Sequence, residues 1–211
     1  LETVGSGAAA LAISLRHKFK EKFGAEVRDA YGLSEASPGV ATQRNDMPIK
    51  EGSVGVPMPG VNIKIVDEGG YEVPVGDVGE LLVQGDNVTP GYFKNEEETK
   101  KALQNGWLHT GDMAKVDDEG YLYIVDRKKD LIIRGGFNIY PRDLEELLVK
   151  HEAVLEAAVI GVPSEKMSEE IVACIVKKPD AEVSASELIG YCQQNLAKYK
   201  TPRHIEFIQE L

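Results

Sequence analysis

The stretch Asp126-Arg127-Lys128-Lys129-Asp130-Leu131-Ile132-Ile133-Arg134-Gly135-Gly136-Phe137-Asn138-Ile139-Tyr140-Pro141 divides the chain into two styles of sequence. It opens on five charged residues, passes through the short apolar segment Leu131–Arg134, turns at Gly135-Gly136, and reaches Pro141. Proline's fixed φ and missing N–H suit the first position of a helix. Leu144, Leu147 and Leu148 then share one helical face. Downstream, Val154–Val162 and Ile171–Lys177 read as strands. Ser184 with Glu187 forms a capping box for a helix carrying Leu188, Cys192 and Leu196, and His204–Ile208 reads as a last strand. The order β-α-β-β-α-β predicts a small α+β domain over residues 127–211, three of its four strands forming a three-stranded sheet, its boundary near Asp126–Lys129.

Upstream the pattern is mostly β. Val61, Ile63 and Ile65 alternate with Asn62 and Lys64, as in a half-buried strand. Gly79–Gln84 and Tyr121–Val125 read as further strands, and Asp67–Gly70 and Asp117–Gly120 as turns. Asn95 with Glu98 caps one short helix that Gly106 is expected to close. Residues 52–126 are therefore expected to form a small β-barrel-like subdomain. Residues 1–51 read as a helix-strand segment: a helix over Gly7–Phe23, striped by Leu11, Leu15, Phe19 and Phe23 and ended by Gly24, then a strand at Val27–Tyr31 and a loop through Pro38 and Gly39.

Composition narrows the function. The 24 Lys and Arg against 35 Asp and Glu leave a net charge of -11 over 211 residues. That excludes a broad nucleic-acid surface, which must be positive. No run approaches the roughly 18 consecutive apolar residues of a membrane span; peripheral membrane association stays open. Cys174 and Cys192 form no Cys-x-x-Cys pair and read as buried thiols, which fits a reducing compartment and a cytoplasmic location. The first residue is Leu1, so a natural start and any targeting signal are expected to lie upstream.

Five motifs stand in order along the chain: Tyr31-Gly32-Leu33-Ser34-Glu35; Gly79-Glu80-Leu81-x-Val83-x-Gly85; Trp107-Leu108-His109-Thr110-Gly111-Asp112; Asp126–Asp130 with Gly135–Pro141; and Tyr199-Lys200-Thr201-Pro202. Singly each has an ordinary reading. Tyr31–Glu35 is also a strand end with a cap, Gly111-Asp112 an exposed turn, Arg127 a surface ion pair with Asp126 or Asp130, and Gly135-Gly136 a β-turn. Together they resemble the adenylate-forming superfamily of acyl-CoA synthetases, luciferases and peptide-synthetase adenylation domains. Asp126–Pro141 and Gly52–Pro59 look most like medium- and long-chain fatty acyl-CoA synthetases.

The resemblance implies two half-reactions: a carboxylate attacks the α-phosphate of ATP to give acyl-AMP and pyrophosphate, and coenzyme A then displaces AMP. It implies ATP, Mg²⁺ and coenzyme A as cofactors and a fatty acid as partner. Ser34 and Glu35 would be catalytic, Ser34 through a hydroxyl to a phosphate oxygen and Glu35 as a Mg²⁺ ligand. Tyr31 and Gly32 would lie against adenine. Asp112 would accept from both ribose hydroxyls and Arg127 would donate to the ribose. Lys129 matches the hinge, Gly135 and Gly136 the pantetheine tunnel, and Gly7 and Ala8, within Gly5–Ala10, the border of the acyl and adenine pocket. His109 precedes its motif without a catalytic duty, His17, His151 and His204 have no ligand-like spacing and read as surface or satisfied histidines, and Trp107 reads as packing.

Two family elements lie outside the sequence: an upstream phosphate loop, and a catalytic lysine expected shortly after Leu211. The 1–126 segment is thus expected to be the C-terminal remnant of a large AMP-binding domain, in a fragment inactive alone. An aryl-CoA ligase, another adenylation domain, and a non-catalytic nucleotide-binding module are the competing readings.

Overall fold

The computed structural model describes residues 3–8, 11 and 13–211. They form two compact units, Leu1–Val125 and Asp126–Leu211, in a mixed α+β fold.

The first unit carries two sheets. In the four-stranded one, β1 (Thr3–Ser6) runs parallel to β2 (Glu26–Gly32), which pairs antiparallel with β3 (Gly39–Thr42), and β3 with β4 (Val56–Pro57). Helix α1 (Ile13–Phe23) connects β1 to β2. It begins later than the expected Gly7, and Ala9, Ala10 and Ala12 lie outside the described residues. Its apolar stripe is not a core face: Leu15 and Phe23 are more than half exposed. Among the described residues of α1 the buried one is Arg16, which donates to Val27 O and to the Asp29 carboxylate on β2. Gly24 ends the helix at φ 65°, its N–H on Lys20 O.

The five-stranded sheet comprises β5 (Asn62–Val66), β6 (Gly79–Gln84), β7 (Leu103–Gln104), β8 (Trp107–Val116) and β9 (Leu122–Arg127), in the order β5-β6-β8-β7 with β9 also against β8. Leu81, Val83 and Leu108 from this sheet meet Val40 and Ala41 of the other in one core. Helix α2 (Glu96–Ala102) is capped by Asn95, which accepts from Glu98 N. Gly106 does not close it. Asn105 and Gly106 both have positive φ and turn the β7–β8 hairpin, the geometry that Asn-Gly favours in a two-residue turn.

In the second unit β10 (Ile132–Arg134), β11 (Phe137–Ile139), β12 (Val154–Ser164), β13 (Ser168–Lys177) and β14 (His204–Ile208) form a sheet against α3 (Pro141–Val149) and α4 (Ala185–Asn195). The expected three strands are β12, β13 and β14. The sheet has five because Gly135-Gly136, at φ 57° and 82°, folds Ile132–Ile139 into a hairpin that β10 joins to β13. Both arms of the Ser184/Glu187 capping box are present. Leu144, Leu148, Ile171, Ile175 and Leu188 are fully buried around the sheet. Cys192 is buried, with its thiol pushed up to about 11 by burial; Cys174 is only half-buried, and both are free. Among the described residues no helix is long and apolar enough to cross a membrane.

Candidate functional site

The first unit brings Tyr31 and Asp112, 81 residues apart, into contact. Tyr31 lies near the end of β2 opposite Ala41, and its hydroxyl donates to Asp112 Oδ2. Asp112 reaches it through an irregularity in β8. Glu80 pairs with Met113 and Leu82 with His109, so Thr110, Gly111 and Asp112 all stand opposite Leu81. Extra residues in one strand re-aim side chains. Gly111 takes φ 71°, Thr110 Oγ1 donates to Leu81 O at 2.8 Å, and Asp112 N donates to Thr110 Oγ1 at 3.1 Å. The Thr-Gly-Asp motif is therefore a bulge that sets the carboxylate, not an exposed turn: Asp112 is buried.

Gly32 follows Tyr31. A Cβ there would lie 1.8 Å from Pro38 O, because Leu33 N donates to that carbonyl to close the loop. Inside the loop Ser34–Ala36 form a 3-10 turn, with Ser37 left-handed at φ 56°. Ser34 is exposed and Glu35 half-buried. Glu35 accepts from the Tyr92 hydroxyl at 2.8 Å, and this bond holds the Tyr92 phenol above its ordinary range. Thr89 N donates to Glu35 O, and Asn87 Nδ2 donates to Ala36 O and Gly39 O. Tyr92 and Asn87 are residues that sequence reasoning misses. Neither has a local signal, since their role is to hold a loop some 50 residues earlier in the chain. Gly7 lies beside this strand end, where a Cβ would be 3.4 Å from Ala30 O; Ala8 is exposed at φ 69°. Of Gly5–Ala10, Ala9 and Ala10 lie outside the described residues.

The remaining candidates belong to the second unit. Arg127 is exposed, and Lys129 sits in the exposed 3-10 turn Lys128–Asp130. Asp126 meets Arg127 through the backbone: its Oδ1 accepts from Arg127 N at 2.8 Å. Gly135 and Gly136 form the hairpin turn, Gly135 N donating to Met167 O. Next to it the exposed rings of Phe137 and Tyr199 stack, 4.6 Å between centroids. Arg134 holds the Tyr199–Pro202 segment by donating to Tyr199 O and Thr201 O, and Lys200 pairs with Asp143 at 2.7 Å. The histidines have structural surroundings: His109 faces Glu80 at 3.4 Å, His17 contacts Glu51, His151 packs edge-on to Tyr191, and His204 is exposed on β14. Trp107 carries Lys64 over its ring.

Known proteins resemble this chain in sequence and fold. Residues 1–93 match the AMP-binding enzyme family and residues 143–211 the AMP-binding enzyme C-terminal domain. A long-chain-fatty-acid–CoA ligase of Bacillus subtilis is 44% identical over 209 residues, 98% of this chain and 37% of its own length. A 2-succinylbenzoate–CoA ligase of Bacillus cereus is 45% identical over 189 residues, 89% of this chain and 39% of its own. The crystal structure of ATP-bound MatB from Rhodopseudomonas palustris superimposes with a TM-score of 0.93 at 35% identity, over 98% of this chain and 41% of that one. The chain thus spans about two fifths of the length of these relatives.

Proposed function

Since the chain belongs to the AMP-binding enzyme family, we propose that the protein carrying it is an acid–CoA ligase acting on fatty acids through an acyl-adenylate. The observation that carries this reading is the hydrogen bond from the half-buried Tyr31 to the buried Asp112, built from two motifs far apart in sequence. Asp112 binds the ribose diol, with two carboxylate oxygens matched to two hydroxyls. The Tyr31 hydroxyl orients that carboxylate, and its ring with the Gly32 backbone flanks adenine. Arg127 donates to the ribose.

Ser34 presents its hydroxyl to a phosphate from the exposed turn. Glu35 is a single, loop-held carboxylate, and among the described residues no group of three His, Cys, Asp or Glu could hold a metal ion. That donor set fits Mg²⁺, which is commonly bound by one or two carboxylates and the substrate's phosphates. Such a cation would supply charge neutralisation at the phosphates. The protein's part is positioning: Tyr92, Thr89 and Asn87 hold the Glu35 loop before substrate arrives. In the first half-reaction a carboxylate oxygen bonds to the α-phosphorus as pyrophosphate leaves. In the second the thiol of coenzyme A, losing its proton, bonds to the acyl carbon as AMP leaves. Lys129 is the pivot between the two, Gly135 and Gly136 line the pantetheine path, and Gly7 with Ala8 borders the acyl pocket.

The near-equal identity to a fatty-acid and to a 2-succinylbenzoate ligase makes an aryl or aryl-acyl acid the second reading. Pyrophosphate release by the full-length protein, with saturated fatty acids of graded length beside aryl acids, tests both. We expect release with fatty acids; release with aryl acids alone would select the second reading, and none with either would reject the ligase assignment.

A further inference from the structure

Helix α3 starts without a cap of its own. Its N-cap residue is Tyr140, whose side chain makes no capping bond, and Pro141 has no N–H to satisfy. The next N–H, of Arg142, is instead taken by Oδ2 of Asp126 at 3.1 Å, from 16 residues upstream. The other oxygen of the same carboxylate accepts from Arg127 N at 2.8 Å. A carboxylate at this end of a helix also meets the positive end of its dipole. One side chain therefore fastens the start of the connector to the start of α3.

The connector it fastens carries Arg127 and Lys129. Lys129 lies along the chain between the two ends of the Asp126–Arg142 bond, so a backbone turn at Lys129 works against that bond. We infer that Asp126 is a positioning residue, setting the course of the 127–130 connector by anchoring it to α3. Its bearing on catalysis rests on the reading above in which Arg127 and Lys129 serve the reaction; the anchoring itself does not.

The test separates anchoring from simple capping and needs no substrate. Amide hydrogen exchange is followed in this chain for the wild type, Asp126→Ala, and Asp126→Ala with Tyr140→Ser. The second substitution gives α3 a local cap, because a serine hydroxyl at the N-cap accepts from the second or third N–H of a helix, here Arg142 or Asp143. In D126A, exchange at Arg142 and at residues 128–130 should rise about 5-fold, the effect of a lost N-cap. Arg127 is left out, because its N–H loses a direct acceptor in D126A. In the double variant the first turn of α3, Arg142 with Asp143, should return to the wild-type rate while residues 128–130 stay fast. Unchanged exchange at 128–130 in D126A overturns the proposal. So does recovery of those residues in the double variant, which would reduce Asp126 to a cap. If the full-length protein proves not to be a ligase, these rates still decide the anchoring.

Discussion

Asp117 is a carboxylate of the first unit held by four donors, and acid should reveal it. It accepts from Lys50 Nζ at 2.7 Å, from the backbone N–H groups of Glu119 and Tyr121, and from the Tyr123 hydroxyl. Burial alone would raise its pKa; these four donors outweigh that and bring it from 3.8 to about 2. A carboxylate depressed in the fold stabilises when ionised, so the contribution is complete above about pH 4 and is lost as pH falls through about 2. The gap from 3.8 to about 2 corresponds to about 2.4 kcal/mol at 1.36 kcal/mol per pH unit. The Asp117 side chain is 23% exposed, so water and salt screen the pair, and we expect roughly 1 kcal/mol. Urea unfolding followed by the fluorescence of Trp107, the single tryptophan, should find Asp117→Asn less stable than wild type by that amount at about pH 6. By about pH 3 the difference should shrink by about half, since the unfolded carboxyl is by then largely protonated and the folded one is not. If wild type and D117N lose equal stability over that pH range, the Lys50–Asp117 assignment is wrong.

Three other outcomes are expected. Gly32→Ala sets a Cβ 1.8 Å from the Pro38 carbonyl, backbone against backbone; the loop must open, and the urea midpoint should drop by an equivalent of about 2–3 kcal/mol. Leu148→Ala, at a fully buried position of the second unit's core, should cost about 2–5 kcal/mol through lost contacts and a cavity, read by the loss of helical circular dichroism in urea. Asp112→Ala in the full-length protein should weaken ATP binding by about 2–5 kcal/mol, as when one partner of a buried polar pair is truncated; unchanged ATP affinity by calorimetry would remove Asp112 from the nucleotide site.

The elements are legible in the sequence wherever one local rule governs them. The Asp67 and Asp117 turns, the alternation of β5, the Asn95 and Ser184 caps and the Pro141 helix start all rest on residues close to each other along the chain. Two glycine positions mislead a local reading. Gly106 suits the end of the helix before it, yet belongs to the Asn105-Gly106 hairpin. Gly135-Gly136 suits an isolated turn, yet is the corner of a hairpin that widens the sheet to five strands. The α1 stripe shows the limit of periodicity. It marks a face without saying what covers it, and among the described residues the buried side chain there is Arg16, held because Asp29 and a strand carbonyl meet its guanidinium.

The candidate site divides in the same way. The order of residue types along the chain is enough to single out Tyr31, Glu35, Asp112, Arg127 and Lys129. It cannot tell that Tyr31 donates to Asp112, that Tyr92 and Asn87 hold the Glu35 loop, or that Asp126 caps a helix 16 residues away. Short-range chemistry is written in neighbouring residues, because φ and ψ preferences and turn bonds act over a few positions. Which carboxylate meets which donor depends on strand register and a bulge opposite Leu81, and register is settled by the packing of both sheets into one core.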